Sequence, residues 1–195
     1  RLIAPNSLEV LSWQNEVQIS PQQVLKLDGA LSRNVINSYS DRDRNNDSGL
    51  AGKLLYKYNV PLKKAQLSFN AAYEFNNPQF TSLERIRAVE FARDWNLPLN
   101  YSGAVQLLSL NSNYSRDSLQ LQYNFQALES PIKSGYRHLV LADLVTKRQL
   151  LKSNLSLTQS TSLVSTENFW REQIDYRYFL NEKWWLGVQS TGELN

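Results

Sequence analysis

Along residues 118–127, Ser-Leu-Gln-Leu-Gln-Tyr-Asn-Phe-Gln-Ala, every second residue is apolar. Successive side chains of a strand point to opposite faces, so this stretch has one apolar and one polar face. The same period of two recurs along the chain. Leu25, Leu27, Gly29 and Leu31 alternate with Lys26, Asp28, Ala30 and Ser32. Leu67, Phe69, Ala71, Tyr73 and Phe75 alternate with Gln66, Ser68, Asn70, Ala72 and Glu74. Read this way, the pattern predicts strands over 8–19, 24–36, 50–60, 65–75, 103–114, 118–128, 136–146, 150–159, 169–179 and 184–195. Each is roughly twice the length of an ordinary globular strand, about 5–6 residues, and close to the about 9–11 that a tilted membrane strand needs.

The connections add a second regularity. Short links are expected at 20–23, 61–64, 115–117, 146–149 and 180–183. Longer polar links are expected at 37–49, 76–102, 129–135 and 159–168. Short turns on one side and long loops on the other are the habit of outer-membrane barrels. Aromatic residues add a third: Tyr56, Tyr58, Tyr114, Tyr176, Tyr178, Phe179, Trp184 and Trp185 lie near short turns. Tyr73, Phe75, Tyr123, Phe125, Tyr136 and Trp170 lie towards the longer links. Two aromatic belts are expected at the two headgroup layers of a membrane. The fold expected is therefore all-β: one transmembrane antiparallel up-and-down β-barrel segment over 1–195, of about ten strands. The alternative is a secreted or periplasmic β-sandwich that binds a ligand or another protein.

On the barrel reading, Leu67, Phe69, Leu119, Leu121, Tyr123, Leu155, Leu157, Trp184 and Leu186 face lipid. Lys26, Asp28, Lys53, Lys57, Glu74, Arg137, Asp143, Lys152, Arg171, Asp175, Arg177 and Glu193 face the lumen or its rims. Their near balance of sign fixes no ion selectivity.

Composition changes this picture little. The 195 residues include no Cys and no Met, which excludes disulfides and thiolate metal sites. The mean hydropathy is negative, but strand alternation averages away in such an index. No apolar run approaches 20 residues. The net charge of +3 is spread along the chain without a basic block, so no nucleic-acid partner is expected. The chain begins at Arg1 and both outer strands would end on the long-loop side, so the expectation is a run of consecutive strands belonging to a larger barrel.

Candidate chemistry is sparse. Asp41, Asp43, Asn45 and Asp47 have the spacing that opens a calcium-binding EF-hand loop. Asn46 stands where that loop needs Gly, and Gly52 where it needs a bidentate Glu. The reading is a solvated, charge-balanced outer loop with no metal. His138 is the only histidine and has no nucleophile motif beside it, so an outer-membrane enzyme is not supported. No cofactor is expected. The densest charge cluster is Glu84, Arg85, Arg87, Glu90, Arg93 and Asp94, followed by Trp95 in the longest link. It is either a rim element held by local ion pairs, an inward constriction, or an outward docking surface.

The run Glu84–Asn96, after Tyr73, Phe75 and Pro78-Gln-Phe80, resembles segments of large outer-membrane β-barrel proteins of Bacteroidota. The resemblance implies residence in a diderm bacterial outer membrane and a role in transport, secretion or envelope assembly. Its partners would be outer-membrane lipid, lipopolysaccharide and other envelope proteins. It transfers no catalytic residue. For the 41–49 loop the expected outcome is no tight, stoichiometric calcium uptake on titration. Uptake abolished by Asp43→Ala would contradict this.

Overall fold

The computed structural model describes residues 5–36, 47–84, 87, 90–98 and 101–194, with the backbone alone at 90 and 93. Ten strands form one antiparallel up-and-down sheet in sequence order, with no crossover. They are β1 Ser7–Ser20, β2 Gln23–Val35, β3 Ser48–Leu62, β4 Ala65–Asn76, β5 Val105–Arg116, β6 Leu119–Glu129, β7 Lys133–Val145, β8 Gln149–Ser162, β9 Thr166–Phe179 and β10 Trp185–Leu194. One helical turn, α1 Glu90–Asp94, lies between β4 and β5. The sheet does not close: β1 and β10 are its two edges. Asp41, Asp43, Asn45 and Arg85 lie outside the described residues.

The register explains why the alternation survives across ten strands. Leu27 faces Leu54, Leu54 faces Tyr73, Tyr73 faces Leu108, and Leu108 faces Ala127. Tyr58 faces Phe69, and Tyr123 faces Val140, which faces Leu155. Directly paired residues share a face, and a slip of one residue would turn the whole set over. Each of these pairings extends one apolar surface, which β9 interrupts where Glu172 faces Leu155. On β4 that surface runs from Ala65 to Phe75, about 33 Å along the strand at about 3.3 Å per residue. A tilt near 45° would reduce this to roughly 23 Å of height, close to the ~25 Å of a barrel's apolar band.

Burial is the reverse of a soluble sheet. Strand residues with a buried side chain are Ser32, Val105, Leu107, Leu128, Lys133, Ser156 and Ser160, all on the polar face. The apolar face contributes only Gly29. Leu11, Trp13, Leu27, Leu54, Phe69, Leu121, Tyr123 and Val188 of that face are exposed, Leu121 by 41%. Part of the polar face is covered by residues of the link between β4 and β5, which pack on Val105, Leu107 and Leu128.

Two expectations about the links change. The links 130–132 and 163–165 are three residues each rather than long loops. Serines close both. Ser130 Oγ donates to the Lys133 carbonyl (2.7 Å) and accepts from the Lys133 amide (3.0 Å). Ser162 Oγ accepts from the Ser165 amide (3.1 Å). Such local side-chain bonds replace a longer loop and let β7 to β9 run further than their apolar residues signal. The long links among the ten strands are then those after β2 and β4. Phe179 and Trp185 also differ from the other strand aromatics near short turns. They pair with each other on the polar face, where the Arg177 guanidinium lies 5.1 Å from the Trp185 ring centre.

Trp13 lies across Gly29, where a Cβ would collide with the indole and force the exposed ring to move. Gly192 differs: its Cβ would meet only the flexible Glu172 side chain, at 3.2 Å. Gly29→Val should therefore lower the unfolding free energy by about 1–3 kcal/mol. Gly192→Ala should change it by less than about 0.5 kcal/mol. Denaturant unfolding of the two variants side by side checks this; equal effects would contradict the packing of Trp13.

Candidate functional site

The described residues of the link between β4 and β5 return over the polar face and form the one apolar core among the described residues. Trp95 and Leu97 from the link pack with Val105, Leu107 and Leu128, and with Phe91, Ala92 and Tyr101. Local geometry makes this possible. Asn96 takes a left-handed backbone (φ 48°) just after α1, and the Leu97 amide donates to the Ala92 carbonyl (2.8 Å). That is a left-handed helix cap, for which Asn is well suited. It turns Trp95 and Leu97 down into the sheet while the Asn96 side chain leaves outward.

Anchors hold the link at both sides. The Thr81 amide donates to Ser32 Oγ on β2 (3.0 Å). A Cβ at Gly49 would strike the Phe80 backbone, so glycine lets the link lie flat there. On the far side, Arg137 of β7 pairs with Asp94 (3.0 Å). Asn96 donates to Glu167 of β9 (3.3 Å), and Lys133 of β7 reaches the same carboxylate (2.8 Å). From β2 to β9 is seven interstrand spacings, about 34 Å on a flat sheet. The link is thus a strap across the polar face.

Lys133 is 5% exposed and Glu167 45%. The cation is the member of the pair that depends on its partner. Arg87 donates to Asn76 Oδ1 (3.1 Å) and stacks on Phe91 at 4.6 Å. Burial pushes its pKa below the ordinary arginine value, with Glu74 opposing that shift.

The predicted lumen-facing residues Lys26, Asp28, Lys57, Glu74, Asp143, Lys152, Asp175 and Arg177 share this polar face, as do Lys53, Arg137, Arg171 and Glu193. Ion pairs join Glu16 with Lys26, Lys53 with Glu74 (2.6 Å), Arg171 with Glu193 (2.5 Å) and Asp175 with Arg177 (2.7 Å). The predicted lipid-facing Leu67, Phe69, Leu119, Leu121, Tyr123, Leu155, Leu157 and Leu186 share the other face. Trp184 falls in the link before β10. Of the charge cluster, Asp94, Arg87 and Trp95 meet the sheet as described, while the side chains of Glu90 and Arg93 are not among the described ones and Glu84 is exposed. His138 lies on the apolar face, its Nδ1 2.8 Å from the Tyr123 hydroxyl. Among the described residues no three His, Cys, Asp or Glu side chains converge as metal ligands.

Between the charged flanks, the polar face of β4, β5 and β6 carries no charge below Glu74. Asn70 faces Asn111, which faces Asn124; Ser68 faces Asn113, which faces Gln122. Gln66, Ser115 and Gln120 form the next row. A cleft of about 530 Å³ separates this wall from the strap, lined among others by Asn111, Gln122, Asn124, Gln126, Phe91 and Arg87. A second hollow of about 1120 Å³ lies beyond the Asp94–Arg137 pair, over Ser156, Thr158 and Ser160.

No family model matches the chain, and neither a curated protein nor a solved structure is similar enough to count as a match.

Lys133, Glu167 and Glu16 were absent from the sequence reading. Lys133 and Glu167 lie in strand ends beyond the expected bounds, and extending the alternation backwards from Arg137 and Arg171 would have placed both on the polar face. The burial asymmetry predicts unequal effects. Glu167→Ala strands a buried ammonium and should cost on the order of 1–3 kcal/mol. Lys133→Met leaves a half-exposed carboxylate in water and should cost less. Chemical denaturation decides; the opposite order would contradict the pairing.

Proposed function

We propose that the chain is a stretch of transmembrane antiparallel β-barrel wall in a bacterial outer membrane. It forms part of a transport or protein-secretion pore, or of the machinery that assembles the envelope. One observation carries the reading: the strand side chains that are buried belong to the polar face, while the apolar face has exposed large side chains on every strand but β8, where Leu151, Leu155 and Leu157 are half-buried. In water such a face would need a second layer, and among the described residues none packs there. A hydrocarbon solvent needs no such layer. The strap then lies on the lumen side, where Asp94, Asn96 and Trp95 narrow the passage.

The open edges fit the same reading. Every backbone group in hydrocarbon needs a partner, so β1 and β10 would pair with further strands of a larger barrel. The β-sandwich alternative requires a protein layer on the Leu27–Leu54–Tyr73 face, and the strap that is present lies on the other side.

In this reading the chain stays monodisperse only in detergent or lipid, and unheated and boiled samples migrate differently on a gel. Cysteines placed at Ser48 and Lys183 report topology. A membrane-impermeant thiol reagent on intact cells should label the first and spare the second. Monodispersity without detergent, or equal labelling of both positions, would remove the membrane assignment.

A further inference from the structure

The geometry points to the cleft beneath the strap as a binding site for a small neutral polyhydroxylated solute, a saccharide by chemical class. This deepens the pore reading and rests on it for the direction of approach, but not for the chemistry of the wall.

Three observations carry it. The first is a lining without net charge. Asn111, Gln122, Asn124 and Gln126 line one wall of the cleft, and their cross-strand neighbours on β4 and β5 are also amides or hydroxyls. The charges around the cleft are balanced, Glu74 and Asp94 against Arg87 and Arg137, and Arg137 is already paired with Asp94. An ionic solute would give up hydration there without meeting an excess of counter-charge.

The second is unspent hydrogen-bonding capacity. In the rows over β4 to β6, the one side-chain hydrogen bond among the described residues joins Asn113 to Ser68 (3.5 Å). Each amide offers two donors and a two-lone-pair acceptor. A saccharide hydroxyl both donates and accepts, so it matches either end of an amide without fixing which way the amide is turned. An extended polypeptide would match the amides with its backbone but bring charged and apolar side chains for which this wall has no partner.

The third lies at the cleft itself. Arg87 Nε and Asn124 Oδ1 are covered and have no hydrogen-bond partner among the described residues, and both side chains line the cleft. One is a donor and the other an acceptor. Leaving such groups unmet is costly, and a turn of either side chain towards the cleft would let a hydroxyl accept from one or donate to the other. The volume, about 530 Å³, is the room of about eighteen waters, a space for a small saccharide rather than a polymer coil.

The test is calorimetric titration of the full chain in detergent micelles with sucrose, with citrate, and with a decapeptide of alternating charged and apolar residues. Saturable binding of sucrose and none of citrate or peptide is expected. Asn124→Leu and Gln122→Leu should each weaken sucrose binding about 2- to 12-fold. Gln120→Leu, on the same wall but away from the cleft, should leave it unchanged. If Asn124→Leu fails to give folded protein by circular dichroism, Asn124→Ala, which only truncates, takes its place. No saturable sucrose heat, equal binding of citrate or peptide, or unchanged affinity in the Asn124 variant overturns the site. A chain that is monodisperse without detergent overturns the pore reading instead, and the same titration in plain buffer then still decides the cleft.

Discussion

An apolar face ten strands wide with nothing over it is the constraint on which the rest of this molecule depends. At about 4.8 Å between strands the face is about 45 Å across, and its band is roughly 23 Å tall. That is on the order of 1,000 Å², beyond the 300–600 Å² of the largest patch on a typical soluble monomer. At about 25 cal/mol per Å², leaving it in water would cost about 25 kcal/mol. The net stability of a folded domain is only about 5–15 kcal/mol. The sheet therefore requires a medium or a partner for that face, and lipid satisfies the requirement without any further residue.

The same constraint gives the polar face its character. With most apolar residues on one side, the other face is left largely with amides, hydroxyls and ion pairs. Its own Val105, Leu107 and Leu128 form a core only where the strap lays Trp95 and Leu97 on them, delivered by the left-handed turn at Asn96. The turn also throws the Asn96 side chain towards Glu167, so one local cap both seats the core and tethers the strap to β9. The strap is thus held by a small core at its centre and polar contacts at its margins. At the β7 margin the Asp94–Arg137 pair is partly exposed and of modest strength, while at the β2 margin the Thr81 amide meets the buried Ser32.

The strands and the two faces were legible in the sequence because a period of two is a local property that antiparallel pairing preserves. Segments as different as Leu25–Leu31 and Leu119–Ala127 fall on one surface in the structure. The ends of strands were less legible. Lys133 and Ser134 carry no apolar signal, and the serine-closed turns at 130–132 and 163–165 read as longer polar loops. The strap's position was not legible at all. The charged cluster allowed local pairing, an inward fold or an outward one, and the choice rests on contacts of long sequence separation: Asp94 with Arg137, Asn96 with Glu167, Thr81 with Ser32. Nothing in a run of charges specifies which distant strand will supply its partner.

The central claim is that the odd-numbered side chains of β6 meet hydrocarbon while the even-numbered ones meet water. The chain has no native cysteine, so a spin label can be placed singly at each position from 119 to 128 in lipid vesicles. Collision with dissolved oxygen and with a water-soluble nickel chelate reports the two media. The account predicts a strict alternation: oxygen dominates at 119, 121, 123, 125 and 127, and the chelate reaches the even positions not covered by the strap. Odd positions shielded from both reagents would mean that a protein layer covers the apolar face, and would contradict the account.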